Sequence, residues 1–310
     1  MNTIEAVPNI SDGSRADILN AAAVAVREVP GLSLLDISSD PSHNRTVLTL
    51  VGPGPALLQG LLALYDVAVE AIDLRQHRGE HPRIGAVDVV PFVPLDETSM
   101  GDCIKLAETL GQAVATRYNI PVFLYGDAAR RDDRRALEHV RRGQFESLEE
   151  RMSLADGSPD YGPASPHPTA GASAIGARQP LIAFNVNLDT EDLDVARQIA
   201  RAVRERDGGL PHVKALGIRL EHLGLVQVSM NLTDHTRTPL YRVFARVERE
   251  AARHGVAVVE SEVVGLMPAD ALVTTAAHTL RLRRFTADQM FEMRLAQLNH
   301  RDPSRPGGVT

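Results

Sequence analysis

The stretch TVLTLVGPGPALLQGLLALYDVAVEAID, residues 46–73, decides the fold. Residues 46–52 alternate apolar and polar, the pattern of a half-buried strand. Gly52-Pro53-Gly54 breaks that strand, and residues 55–73 predict a helix with Pro55 near its start. Toward the N-terminus, LSLLDIS (32–38) reads as a second strand, joined to the first through the polar turn SDPSHNR (39–45). Before it, Ala and Val are spaced to give an apolar helix face over roughly 14–28, with Ser11, Asp12 and Ser14 as N-cap candidates. Pro30-Gly31 stops that helix, and TIEAVP (3–8) precedes it as a short strand. Toward the C-terminus, GAVDVVPFVPL (85–95) reads as a strand whose prolines favour an edge or irregular pairing. The order β-α-β-β-α-β is that of the split ferredoxin-like unit. A helix over 99–118 and a strand over 121–125 extend it.

The same element order returns in the second half. LIAFNVNL (181–188) is a strand, followed by a helix over about 190–206 capped by Thr190. VKALGIRL (213–220) and LVQVSMNL (225–232) pair around Gly224. A helix over 239–254 and the strand VAVVESEVVGLMP (256–268) complete the unit, and helices over 268–282 and 286–298 close the chain. Between the halves, residues 126–180 are rich first in Arg, then in Gly, Pro and Ser. They read as a helix over 132–141 and a long aperiodic loop over 158–178, a length that marks a lid, a binding loop or a linker. The expected class is α+β, with two ferredoxin-like subdomains side by side and added helices. They span 1–178 and 179–298, with a disordered tail over 299–310.

Composition narrows the function. The 310 residues carry a formal charge of −7, against the basic excess of a general nucleic-acid binder. Aromatic residues are 4% and tryptophan is absent, which argues against a stacking platform for single strands. One cysteine, Cys103, allows no intramolecular disulfide and suits a reducing cytoplasm. No apolar run reaches the ~18 residues of a membrane span, and the N-terminus lacks the basic and apolar regions of a signal peptide. A small anionic substrate, with no nucleic acid and no membrane, is the expected partner class.

Three clusters could carry chemistry. RQHRGEHPR (75–83) packs two histidines, three arginines and a glutamate into nine positions. Imidazole exchanges protons near neutral pH, and arginine forks hold carboxylates. His77-x-x-Glu80-His81 also matches an inverted zinc-peptidase string. That motif needs a helix, which Gly79 and Pro82 disfavour, so no metal is expected. The turn SDPSHNRT (39–46) gathers Asp40, His43, Asn44 and Arg45; it serves equally as a turn satisfying its own backbone or as a binding element. In GPASPHPTAGASAIGAR (162–178) the Gly171–Gly176 spacing lacks the Lys and Ser or Thr of a phosphate-binding loop. Its small residues can still bring backbone N–H groups close to an anion or a flat ring. Asn185 and Asn187 sit on alternate positions of a strand, as a cleft lining or a solvent face; Cys103 reads as a structural thiol.

Several strings together resemble the formiminotransferase, or glutamate formimidoyltransferase, family. They are AVPNISDG (6–13), HNRTVLTLVG (43–52), His77-x-Gly-Glu-His-Pro-Arg-Ile-Gly-Ala-Val-Asp88 and LYGDAARRDDRR (124–135). DYGPASPHPTAGASAIGAR with LIAFNVNL (160–188), QVSMNLTD (227–234) and VVGLMP (263–268) complete the set. The resemblance covers about residues 3–298. It implies two ferredoxin-like subdomains, a cytoplasmic homodimer, and the stand-alone form without the cyclodeaminase domain of animal members. It implies transfer of a formimino group from N-formimidoyl-L-glutamate to N5 of tetrahydrofolate, a co-substrate, in histidine degradation. Formyl transfer from N-formyl-L-glutamate is the neighbouring alternative; a zinc hydrolase using His77 and His81 and a non-catalytic binding module are the others. The family's general base falls on His81, with Asp40 and Glu80 as its candidate helpers; an aspartate that assists it in animal members aligns with Ser38 here, between Asp36 and Asp40. Folate and substrate contacts are expected from Asn9, Asn44, Arg45, His77, Arg83, Gly162, Pro163, Ala164, Ser165, Thr169, Ala170, Gly171, Arg178 and Asn187. Carboxylate clamps would come from Arg45, Arg75, Arg78, Arg83 and Arg178.

Overall fold

The structure, a computed structural model, describes residues 3–41, 43–79, 81–95, 97–154, 156–220 and 223–301. The chain divides into two compact units, Met1–Gln179 and Pro180–Thr310.

In the first unit, β1 (Ile4–Ala6) and β2 (Asn9–Ile10) lie in succession, because Val7 and Pro8 interrupt the single strand expected over 3–8. α1 (Ala16–Arg27) follows. Its entry is set by Asp12, whose Oδ1 accepts the Ser14 and Arg15 N–H groups at 3.0 Å each, while Arg15 itself occupies the N-cap position. β3 (Ser33–Asp40) and β4 (Arg45–Gly52) form a hairpin, and α2 (Gly54–Ala71) leads to β5 (Val87–Pro94). The antiparallel order is β3, β4, β1 with β2, then β5. Numbered within the unit, that is second, third, first, fourth. α2 buries Leu57, Leu61, Leu64, Tyr65 and Ala68, one stripe at helical spacing. Burying each leucine stabilises by about 1.5–3 kcal/mol. The Tyr65 hydroxyl, 2.5 Å from Ser173 Oγ, is satisfied in turn because Ser173 donates to the Val87 carbonyl at 2.7 Å.

α3 (Met100–Tyr118), held by a Ser99–Asp102 capping box, leads to β6 (Val122–Gly126). The helix expected over 132–141 is a short 3-10 turn at Asp132–Arg134 followed by α4 (Leu137–Val140). Arg134 bonds Asp160 and the Asp156 and Ser158 carbonyls, which pulls this segment onto the following loop. α5 (Leu148–Met152) comes next. The segment 158–178, expected to be loop throughout, contains β7 (Ser173–Ala177). It is wholly buried and runs parallel to both neighbours, β5 and β6. A strand covered on both faces has no alternation to read.

The second unit holds β8 (Ile182–Leu188), α6 (Leu193–Val203), β9 (Val213–Leu220), β10 (Leu225–Leu232), α7 (Leu240–Arg253) and β11 (Val258–Val264). Its antiparallel sheet runs β11-β8-β10-β9, or fourth, first, third, second. The N-cap of α6 is Asp192 rather than Thr190; Thr190 Oγ1 accepts the Asp192 N–H one step earlier. Phe184, Val186, Leu188, Val226, Val228, Met230 and Leu232 point into the core with residues of α6 and α7. The alternate residues Asn185, Asn187 and Gln227 occupy the other face. α8 (Ala269–Thr279) and α9 (Phe291–Arg301) end the described chain. Among the described residues no helix is long and apolar enough to cross a membrane.

Candidate active site

Two of the sequence clusters meet in the first unit: the β3–β4 turn and the segment after α2. Asn44 makes the junction. It sits at φ 48°, a left-handed conformation that asparagine tolerates well. Its Oδ1 accepts the Gly13 N–H at 2.9 Å and its Nδ2 donates to the Arg78 carbonyl at 2.8 Å. Gly79 allows the approach, since a Cβ there would meet the His43 carbonyl and the Asn44 side chain. The result is a small, partly open cavity whose walls include Ser11, His43, Arg45, His77, His81, Arg83 and Asp88.

The two histidines are held differently. His77 is buried, accepts at Nδ1 from Arg83 Nε at 3.0 Å, and lies with Nε2 3.0 Å from the Asn44 carbonyl. Arginine only donates, so the ring proton is on Nε2 and both nitrogens are engaged. Burial above all lowers its pKa. His81 is half-buried, with Nε2 2.6 Å from Arg45 Nη1. By the same donor argument the unprotonated Nε2 accepts the Arg45 N–H and the proton is on Nδ1, toward the Pro82 carbonyl. Burial, then the Arg45 and Arg141 guanidinium groups and His43, push the His81 pKa down to about 2. His43 stands edge-on to His81, ring centroids 6.0 Å apart. Asp40 Oδ2 is 2.8 Å from His43 Nδ1.

The structure separates the five candidate arginines. Arg75 pairs with Asp73, and Arg78 donates to the His77 carbonyl. Arg83 spends its fork on Glu146, Gln144 and His77. Arg178 donates to the Gln179 carbonyl. Arg45 is half-buried beside His81; among the described residues no carboxylate lies within ion-pair distance of it, and its buried Nε has no partner. Burial and Arg141 lower its pKa to about 10, partly offset by Asp88 and Asp40.

The other expected contacts are dispersed. Asn9 is buried and donates to the Val7 carbonyl. Glu80 lies outside the described residues. Gly162, at φ 88°, packs against the Ile120 carbonyl, and Gly162, Pro163, Ala164 and Ser165 are not among the cavity walls. At 169–171 the backbone N–H groups are engaged within the turn. His167 Nδ1 accepts from the Thr169 and Ala170 N–H groups, and the Gly171 N–H bonds the His167 carbonyl. The turn docks on the site's supports instead: the Thr169 carbonyl accepts from Leu74 N–H and the Ala170 carbonyl from Ala86 N–H. Asn187, in the second unit, bonds Glu260 and Gln227.

Sequence reading missed Asp88 and Arg141. Asp88 accepts from the Ile84 N–H at 2.7 Å and pairs with Arg141. A lone carboxylate in the apolar run GAVDVVPFV was the available signal for Asp88; Arg141 was one arginine among many. His77 and His81 each face an arginine, which places a cation where a metal would need a lone pair.

Residues 3–178 match the model of the formiminotransferase domain, N-terminal subdomain, and residues 183–298 that of the formiminotransferase domain. The glutamate formimidoyltransferase of Streptococcus pyogenes serotype M1 is 43% identical over 282 residues, 91% of this chain and 94% of that protein. That of Thermoplasma acidophilum is 44% identical over 297 residues, 95% and 98% of the two chains. The formimidoyltransferase-cyclodeaminase of Rattus norvegicus is 42% identical over 280 residues, 88% of this chain and 52% of that protein.

Proposed function

The chain belongs to the formiminotransferase family, and from that premise we propose that His81 is the proton carrier of the reaction. The enzyme transfers a formimino group from formimidoylglutamate to tetrahydrofolate. The N5 amine of tetrahydrofolate attacks the amidine carbon, and a C–N bond forms as the amine proton passes to His81 Nε2. His81 then returns that proton to the glutamate nitrogen as its bond to the same carbon breaks. The products are 5-formimidoyltetrahydrofolate and L-glutamate, with no proton gained or lost. Each positioned proton transfer contributes roughly 10²–10⁴-fold.

The observation that carries this reading is a neutral imidazole whose unprotonated Nε2 faces a guanidinium that has no acid partner among the described residues. One group takes a proton and the other takes a carboxylate, the two needs of this donor. We further read the reaction as metal-free, each unit as ferredoxin-like from its strand order, and the protein as a cytoplasmic homodimer in which the 162–171 segment meets the pterin. The test is to mix the pure protein with tetrahydrofolate and formimidoylglutamate. Glutamate released only when both are present supports transfer; release without tetrahydrofolate marks a hydrolase and overturns it.

A further inference from the structure

We infer that Arg45 caps the proton-accepting nitrogen of His81 at rest, and that a carboxylate of the donor draws the guanidinium away and frees the base. The inference rests on the reading of His81 as proton carrier. Arg45 Nη1 lies 2.6 Å from His81 Nε2 and has only hydrogens to offer. In that arrangement Nε2 already accepts a hydrogen bond, and Nδ1 carries the ring proton, so neither nitrogen is open to a substrate proton.

The cap is a poorly compensated one. Arg83, Arg134 and Arg141 each meet a carboxylate, on Glu146, Asp160 and Asp88. Arg45 meets an uncharged imidazole, and its buried Nε has no partner among the described residues. A partly desolvated cation gains from an acid partner, and a carboxylate takes a guanidinium by two parallel bonds where an imidazole nitrogen takes one. The surroundings favour an incoming anion. Arg141 adds a second positive charge, and its own Nε is also buried without a partner. Asp88 is committed to Arg141 and the Ile84 N–H, and Asp40 to His43. On the far side His77 and Arg83 are locked to each other and to Glu146.

A carboxylate on Arg45 acts twice on His81. It removes the hydrogen bond that occupies Nε2, and it neutralises the positive charge beside the ring. Both raise the proton affinity of a group that burial and two guanidinium groups hold low. The base therefore gains strength when the donor arrives, and Arg45 is a positioning residue that couples donor binding to proton transfer.

The experiment uses full-length protein with ¹⁵N-labelled histidine, the His81 signals being assigned by their loss in H81Q. Ring nitrogens are followed from about pH 5 to about pH 9, with and without saturating L-glutamate. Without glutamate, His81 stays neutral, protonated on Nδ1, across the range. With glutamate the Nε2 signal shifts as its guanidinium hydrogen bond is lost, and the titration midpoint rises into the measured range. In R45Q the ring leaves that tautomer or titrates without glutamate, and glutamate binds about tenfold more weakly or worse and moves it no further. R45K, which keeps the charge but not the fork, falls between. A His81 ring that, with glutamate bound to wild type, keeps its Nε2 signal and stays neutral across the range overturns the inference, as does undetectable glutamate binding or wild-type affinity in R45Q. The wild-type comparison stands whether or not R45Q folds. Turnover separates the two claims. If H81Q turns over normally, the proton-carrier reading fails by itself; if H81Q is inactive while R45Q leaves the His81 ring unchanged, only the cap fails.

Discussion

His77 and His81 are four residues apart and each meets an arginine, yet they do different work. Both nitrogens of His77 are consumed, by Arg83 and the Asn44 carbonyl, so that ring fixes the loop to the β3–β4 turn. His81 has one nitrogen on a guanidinium at the cavity wall. Its pKa lies at about 2 in the folded chain against about 6.5 for a free imidazole. The unfolded chain therefore binds the extra proton first, and folding stability falls as pH drops below about 6.5. The loss is at most about 1.4 kcal/mol per pH unit, and less here because the ring is half-exposed and screened. Denaturant midpoints at about pH 7 and about pH 5 should therefore fall further for wild type than for H81Q. Parallel losses in the two proteins would contradict the neutral, buried state of His81. The cluster that holds His81 was legible because proton chemistry and anion chemistry crowd into nine consecutive residues, and the family resemblance singled out His81 within it. Asp88 and Arg141 were not, because only folding brings them together.

At the scale of elements, the least legible part of the chain supports the site. β7 escaped sequence reading because SAIGA lies between two parallel strands and is buried throughout, so neither periodicity nor polarity marks it. Its entry turn needs Gly171, at φ 68°, where a Cβ would also press on the Ile84 carbonyl. Gly171→Ala should cost about 1–2 kcal/mol from backbone strain alone, read as a lowered melting temperature. An unchanged melting temperature would show that the turn relaxes freely. The helix expected over 132–141 fails for a different reason: Arg134 is bound to Asp160, each side chain under a tenth exposed, and Asp160 also accepts the Leu124 N–H. Removing one partner of such a pair leaves a buried charge, so Asp160→Ala should destabilise by about 3–5 kcal/mol in denaturant titration. A loss within about 0.5 kcal/mol, typical of surface substitutions, would mean that the pair is solvated. The strand-helix-strand order at 46–95 was readable because its alternation, its Gly-Pro-Gly break and its leucine stripe all agree.

Over the whole molecule, a net charge of −7 coexists with a concentration of guanidinium groups in one cavity of the first unit. That contrast suits a small carboxylate rather than a polyanion. The arginines on His77 and His81 occupy the lone pairs those two rings would offer a metal, so treatment with EDTA should change neither turnover nor melting temperature. Activity lost with EDTA and restored by zinc would reverse that reading. The central claim is that one imidazole moves the proton of formimino transfer. Glutamine at position 81 can still accept the Arg45 N–H, so H81Q keeps the cavity wall while removing the proton carrier. The deciding measurement is kcat for formimino transfer to tetrahydrofolate by wild type and H81Q at equal melting temperature. The account predicts a fall of about 10²-fold or more in H81Q; wild-type turnover in that variant would contradict it.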